Sequence, residues 1–280
     1  GCFFYFEKIL KVDKTMPNMV SVDGFYVTSL DMLTAYNNAG ELEMMLDELQ
    51  DSTISNTQEN NDVTGKNGAV IGTLKRNKAV TVSGNNGLLV GGGLAAQTGS
   101  DVETGSFIVR KTEIVTVNSN SATLTGTPVG AEGAEIVTLR KRGAGSMLEG
   151  KYEQDATASG TGKFSYADNT ITFFAGDFND GEQAVVIYDE QVTNAAKISN
   201  DADEYSKCLK VYLDVSVTDR CDNMLRGQFQ FFRADFTGNF DIALGGTDSA
   251  VLSYEFRTLK DLCNTGAEAG KFWDFIVWSD

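Results

Sequence analysis

Histidine is absent from the 280-residue sequence, which excludes His-based triads, His general bases and His metal ligands. The four cysteines, Cys2, Cys208, Cys221 and Cys263, show no C-x-x-C spacing. No zinc site is suggested, and reduced thiols of an intracellular protein are expected. Cys208 and Cys221 have a separation compatible with facing each other across a hairpin. Carboxylates are the plentiful reactive group, with 39 Asp and Glu against 23 Lys and Arg. Two of them roughly 5–9 Å apart would serve glycoside hydrolysis, a chemistry that counting does not exclude. Trp273 and Trp278 stand together near the C-terminus and could offer a sugar platform, although a core strand is the expected use.

Three short motifs invite ligand readings, and each is incomplete. Asp177-Phe178-Asn179-Asp180-Gly181 resembles a fragment of a calcium loop, but the bidentate Glu is out of register, so a plain turn is expected. Thr64-Gly65-Lys66 lacks the remainder of the phosphate loop G-x-x-x-x-G-K-[ST]. Gly91-Gly92-Gly93 has Ala96 at the third dinucleotide-motif position and no parallel βαβ pattern around it. A flexible turn or close backbone approach accounts for it.

The formal charge of −16 argues against gripping nucleic acid by its phosphates, which takes clustered Lys and Arg. It is compatible with letting nucleic acid pass. No apolar run approaches the roughly 18 residues of a membrane helix. The opening GCFFYFEKILKV is broken by Glu7 and Lys8, and Tyr5 stands where a myristoylation motif wants Ser or Thr. It reads as an arm or edge strand.

The elements that would position any site are mostly strands. Gly227–Leu259 holds two strand-like runs joined by a glycine-rich connector. In the second, Ala250, Leu252, Tyr254 and Phe256 share one face, and Val251, Ser253, Glu255 and Arg257 the other. Leu209, Val211, Leu213, Val215 and Val217 alternate with polar residues in the cleanest strand of the chain, and Lys271–Trp278 is an aromatic closing strand. A helix or loop is expected around Leu259–Ala269. Asp23-Gly24 is a turn signal ahead of Phe25, and Ser29–Leu49 reads as a helix, split near Asn37–Gly40. The polar stretch 51–69 predicts a long loop or an extended hairpin tip, with strand signals over 70–83 and a basic patch at Lys75, Arg76 and Lys78. That patch reads as a solvated face or as ion-pairing partners for acids. From about 106 to 192 short strands recur at regular spacing, with turn signals at Asp168-Asn169 and Asn179-Asp180-Gly181. They suggest a small β-sandwich inserted in mid-chain.

The chain resembles the tail tube proteins of tailed bacteriophages. Ser52–Leu89, STISNTQENNDVTGKNGAVIGTLKRNKAVTVSGNNGLL, looks like that family's extended β-hairpin. Gly227–Leu259 with Lys271–Trp278 looks like its long lumen strands, flanking helix and last strand. The expected fold is mainly β: a tail-tube-like β-sandwich or barrel with one or two flanking helices, made by residues 1–105 and 193–280. Residues 106–192 are expected as an inserted immunoglobulin-like β-sandwich, a departure from simple tube proteins. The resemblance implies a hexameric ring stacked head to tail, with six subunits closing an inner β-barrel. The partners implied are further copies, other tail proteins and DNA that passes without specific binding. No cofactor, metal or membrane is called for, and the location is the virion tail, assembled in the host cytoplasm. In a closed barrel the apolar strand face packs against the rest of the subunit and leaves the polar face for the bore. Asp235, Asp241, Asp248 and Glu255 are the candidate lumen-facing acids, with Arg233 and Arg257 pairing with acids across the subunit boundary.

Two other readings compete. Another tail or decoration protein would use similar β modules but favour a basic or membrane-apposed surface. An acidic β-sandwich could also be a glycan-binding module or a carboxylate-using glycosidase.

Overall fold

The computed structural model describes residues 24–244, 251–260 and 268–279. It divides into two compact units, Gly1–Val102 with Ile198–Asp280 and Glu103–Lys197. The expected N-terminal arm and most of the expected 259–269 helix or loop lie outside the described residues. So do Cys2, Cys263 and Asp248.

The first unit is a nine-stranded sheet. It begins with β1 (Phe25–Tyr36), β2 (Leu42–Leu46), β3 (Leu49–Thr64) and β4 (Val70–Asn86), then α1 (Gly91–Thr98). After the second unit it resumes with β12 (Cys208–Asp219), β13 (Met224–Phe236), β14 (Ile242–Ala243), β15 (Val251–Thr258) and β16 (Trp273–Trp278). The strand order is β2-β1-β12-β13-β15-β4-β3, with β14 on β15 and β16 on β13.

The helix expected at Ser29–Leu49 is instead the hairpin β1–β2. Leu42, Met45, Leu46 and Leu49 fit a helical period, but the chain uses the competing period of two. Leu33 and Ala35 point into the core opposite Leu213 and Val211, and Met44 and Leu46 follow from β2. Met45 is exposed between them. The turn is set by Asn37, whose Oδ1 accepts from the amides of Ala39 and Glu41, and by Gly40 at φ 84°.

The only α-helix among the described residues, α1, carries the three glycines. A Cβ on Gly92 would lie 2.5 Å from the Glu43 carbonyl oxygen, and one on Gly93 2.9 Å from Leu252 Cδ2. The glycines let the helix backbone press onto β2 and β15, the close approach the sequence suggested. Ala95 and Ala96 are buried on this side, and Gly99 caps the helix in the left-handed conformation. The apolar core beneath runs from Leu46 through Leu33, Leu213, Phe231 and Phe256 to Val82. A bulge where β13 meets β12 switches the inward parity from Phe229 and Phe231 to Ala234 and Phe236.

The second unit holds β5 (Glu103–Thr116), β6 (Ser121–Thr123), β7 (Ile136–Arg142), β8 (Leu148–Gln154), β9 (Lys163–Ala167), β10 (Thr170–Phe173) and β11 (Gln183–Lys197). They run in the order β5-β11-β7-β8-β9-β10-β6 around a core that includes Leu139, Phe164, Ile171, Phe173, Val186 and Tyr188. Its first and last strands pair from Glu103 opposite Lys197 to Thr116 opposite Gln183. Asp168 and Asn169, both at positive φ, make the tight turn between β9 and β10. Inside, Glu113 accepts from the Tyr188 hydroxyl, from Thr125 through its amide and hydroxyl, and from the Gly126 amide. Burial pushes its pKa up, but these donors outweigh burial and hold it at about 2.

Among the described residues no helix is long and apolar enough to cross a membrane. No group of three or more Cys, Asp or Glu side chains among them is placed to hold a metal ion. The Asp177–Gly181 stretch shows why for its own carboxylates. Asp177 accepts from the Gly162 amide, Asp180 from the Ser119 amide, and Glu182 from the Asn179 amide and Lys141.

Candidate functional surface

The feature to account for is the face of the nine-stranded sheet opposite the core. On β15, Leu252, Tyr254 and Phe256 are buried and Ser253, Glu255 and Arg257 look out, as the alternation predicts. The same parity runs across the ladder. Tyr212 lies opposite Gln230 and Gln230 opposite Asp274; Asp214 lies opposite Gln228 and Gln228 opposite Ile276. Thr81, Ser83 and Asn85 continue the row on β4, opposite Arg257, Glu255 and Ser253.

Tyr254 fixes β15 against β4. It pairs with Gly84, which itself pairs with Ser52 of β3. A Cβ on Gly84 would sit 2.5 Å from the Tyr254 hydroxyl and 2.4 Å from the Asp51 carbonyl oxygen. The missing side chain makes room for the tyrosine tip, whose burial pushes its pKa up to about 12.

Most carboxylates of this face are held by donors of the same chain. Asp31 accepts from Ser29, Ser216 and Arg226, which overcome the upward effect of its burial and lower its pKa. Gln230 donates to Gln228 at 2.6 Å, and Gln228 donates to Asp214 at 2.7 Å. Lys271 holds Asp274 at 2.6 Å. Asp51 takes two contacts from the Asn85 amide group.

The sequence-predicted acids fare differently. Asp235 accepts from Arg257 Nε and Nη2 at 3.1 and 3.0 Å. The two residues stand directly opposite in the β13–β15 ladder, so Arg257 has a pairing partner within its own chain. Glu255 and Asp241 form no ion pair among the described residues. They share an open groove of about 680 Å³ with Asp51, Asn85, Asn239 and Ser253. Asp31, Asp214 and Arg226 belong to the same face and were not singled out as candidates from the sequence. Asp31 was hidden by the helical reading of its segment, whereas Asp214 was visible as an outward residue of the alternating strand.

Two contacts that the sequence allowed do not form. Cys208 and Cys221 lie at opposite ends of β12 instead of across a hairpin. Trp273 and Trp278, five residues apart on β16, point to opposite faces, and Trp273 packs edge-on against Phe229 at 5.7 Å. No shared sugar platform results.

A wide two-faced sheet, sealed by a core on one side and tiled with hydrogen-bonded polar side chains on the other, defines a structural β protein. The family model for the YomU/Tube protein family matches residues 25–272, and the chain belongs to that family. It is a phage tail tube protein, a structural component of the virion tail. No curated protein matches the chain.

Proposed function

We propose that copies of this chain form hexameric rings stacked head to tail, and that the polar face of the nine-stranded sheet lines their bore. The observation that carries this reading is the sheet itself. Its apolar face is already covered by the core and α1, and its path ends at β2 and β3 without further partners among the described residues. Open sheet edges invite pairing with another chain, and closing a ring of copies removes them. A heterologous contact that also repeats along an axis makes a tube.

Such a bore lets DNA slide. Duplex DNA carries one negative charge per ~1.7 Å of axis, so exposed cations would hold it. Here Arg226, Arg257 and Lys271 are each engaged by a carboxylate of the face, while Glu255 and Asp241 add uncompensated negative charge. Other tail proteins join the ends of the tube, which assembles in the host cytoplasm. Glu103–Lys197 is an immunoglobulin-like addition that assembly does not require. Negative-stain microscopy of the purified protein tests the reading. Rings or hollow rods are expected; monomers at every concentration at which the chain is folded would refute it.

A further inference from the structure

The sequence holds two Asn-Gly steps, Asn67-Gly68 and Asn86-Gly87, and the fold gives them opposite surroundings. Asparagine is among the chemically labile residues. Before glycine it is most exposed to its own backbone, because the next residue has no side chain to keep its nitrogen away from the carboxamide carbon.

Asn86 ends β4 against the core and is fully buried. Its Oδ1 accepts from the Glu48 amide at 3.1 Å, and its Nδ2 donates to the Leu88 carbonyl at 2.8 Å. The Gly87 amide is itself held by the Glu48 carbonyl at 2.8 Å. An approach of the Gly87 nitrogen to the Asn86 carboxamide must break these bonds and loosen β4 from both β3 and β15.

Asn67 sits in the turn that joins β3 to β4, in the left-handed conformation at φ 67° and ψ 22°. Its carboxamide forms no hydrogen bond among the described residues. From Ser55 to Ala79 every residue is exposed except the half-buried Gly65, and a Cβ on Gly68 would meet nothing within 4 Å. Attack requires ψ of Asn67 to swing away from 22°, so the turn has to open and release the Gly68 amide from the Gly65 carbonyl, 3.1 Å away. Little opposes that opening. A two-stranded ribbon with no core beneath it is only marginally stable in water. Glu59 and Asp62 are tied across it to Asn77 and Thr73, but Lys66, Lys75, Arg76 and Lys78 form no ion pair among the described residues.

We infer that Asn67 is a site of spontaneous deamidation in the free chain, while the fold keeps Asn86 intact. The Gly68 nitrogen gives its proton to a base from solvent and attacks Cγ of Asn67. Ammonia leaves with Nδ2, and a cyclic succinimide forms. Water then opens the ring at either carbonyl, giving an aspartate or an isoaspartate whose main chain runs through Cβ. The sum consumes one water and releases one ammonia, with no redox change. Each event puts a carboxylate on a ribbon that carries a net charge of +2, lowering it to +1. The inference does not rest on the tube reading.

The test incubates the free, full-length chain at mildly alkaline pH and follows both sites by peptide mass spectrometry. Asn67 should convert at least about tenfold faster than Asn86 in the folded chain. In denaturant the two rates should converge to within about threefold. In heavy-oxygen water the product should carry one solvent oxygen. Asn67→Gln should lose most of the acidic species seen on isoelectric focusing, and Asn67→Asp should comigrate with that species. Both variants change one exposed side chain, so their unfolding midpoints should match the parent. Asn86 reacting as fast as Asn67 in the folded chain overturns the inference. So does an Asn67 that stays intact while the denatured chain converts, a product without solvent oxygen, or an acidic species undiminished in Asn67→Gln.

Discussion

Phe256 and Glu255 are neighbours in the chain, and the structure gives them opposite fates. Phe256 is fully buried, with ring centroids 5.3 Å from both Phe231 and Phe236. Removing such a ring costs about 3–5 kcal/mol. A carboxyl placed there meets the apolar side chains Phe231, Phe236 and Val82, and an unsatisfied buried polar group costs about 1–3 kcal/mol more even when it stays protonated. Phe256→Asp should therefore destabilise the first unit by about 4–8 kcal/mol, comparable with the about 5–15 kcal/mol that holds a domain folded. Glu255→Lys touches the open face and should stay within about 0.5 kcal/mol. Urea titration followed by tryptophan fluorescence reads this unit alone, because both tryptophans lie on β16. A folded Phe256→Asp protein with a near-parental midpoint, or a Glu255→Lys protein losing more than about 2 kcal/mol, would show that the faces of β15 are assigned wrongly.

Gly84→Ala should cost about 1–3 kcal/mol in the same titration, because the new methyl group meets the Asp51 carbonyl and the Tyr254 hydroxyl; an unchanged midpoint would refute the tight contact. Glu113 has a folded pKa of about 2 against an ordinary value of 4.5. Its stabilising contribution is thus complete above about pH 4.5 and is lost as the pH falls toward 2. After allowance for screening it amounts to about 2 kcal/mol. Calorimetry of Glu113→Gln should show that acid-sensitive component missing from the transition of the second unit. Replacing Glu103–Lys197 by a short Gly/Ser linker should preserve folding and ring formation, since Ser100 Oγ donates to the Ser199 carbonyl at 2.7 Å and so holds the two ends together. A soluble, folded, shortened chain that never assembles would contradict this.

The strands that alternate cleanly were legible in the sequence, because burial on one face writes a period of two into residue type. β12 and β15 are the clearest cases. β1 and β2 were not legible, since Leu42, Met45, Leu46 and Leu49 follow a helical period, and only the partners Val211 and Leu213 select Leu33, Ala35, Met44 and Leu46 as the inward set. β8, reading LEGKYEQ, is too polar to announce itself and is a strand because β7 lies beside it. α1 begins with three glycines, poor helix formers, and is stabilised by packing that permits no side chain there. On the candidate surface the outward positions of β15 were legible, but the pairing of Asp235 with Arg257 depends on ladder register, which no local pattern specifies. The basic patch at Lys75, Arg76 and Lys78 was visible, whereas its lack of ion-pair partners is a property of the fold alone.

The most direct measurement is a helical reconstruction of assembled tubes by electron cryomicroscopy. The account expects six subunits per ring and a hollow bore lined by Ser253, Glu255 and Arg257 of β15 together with Asp214 and Gln228. A filament without a bore, or a bore lined by other residues with this face on the outside or sealed between subunits, would contradict it.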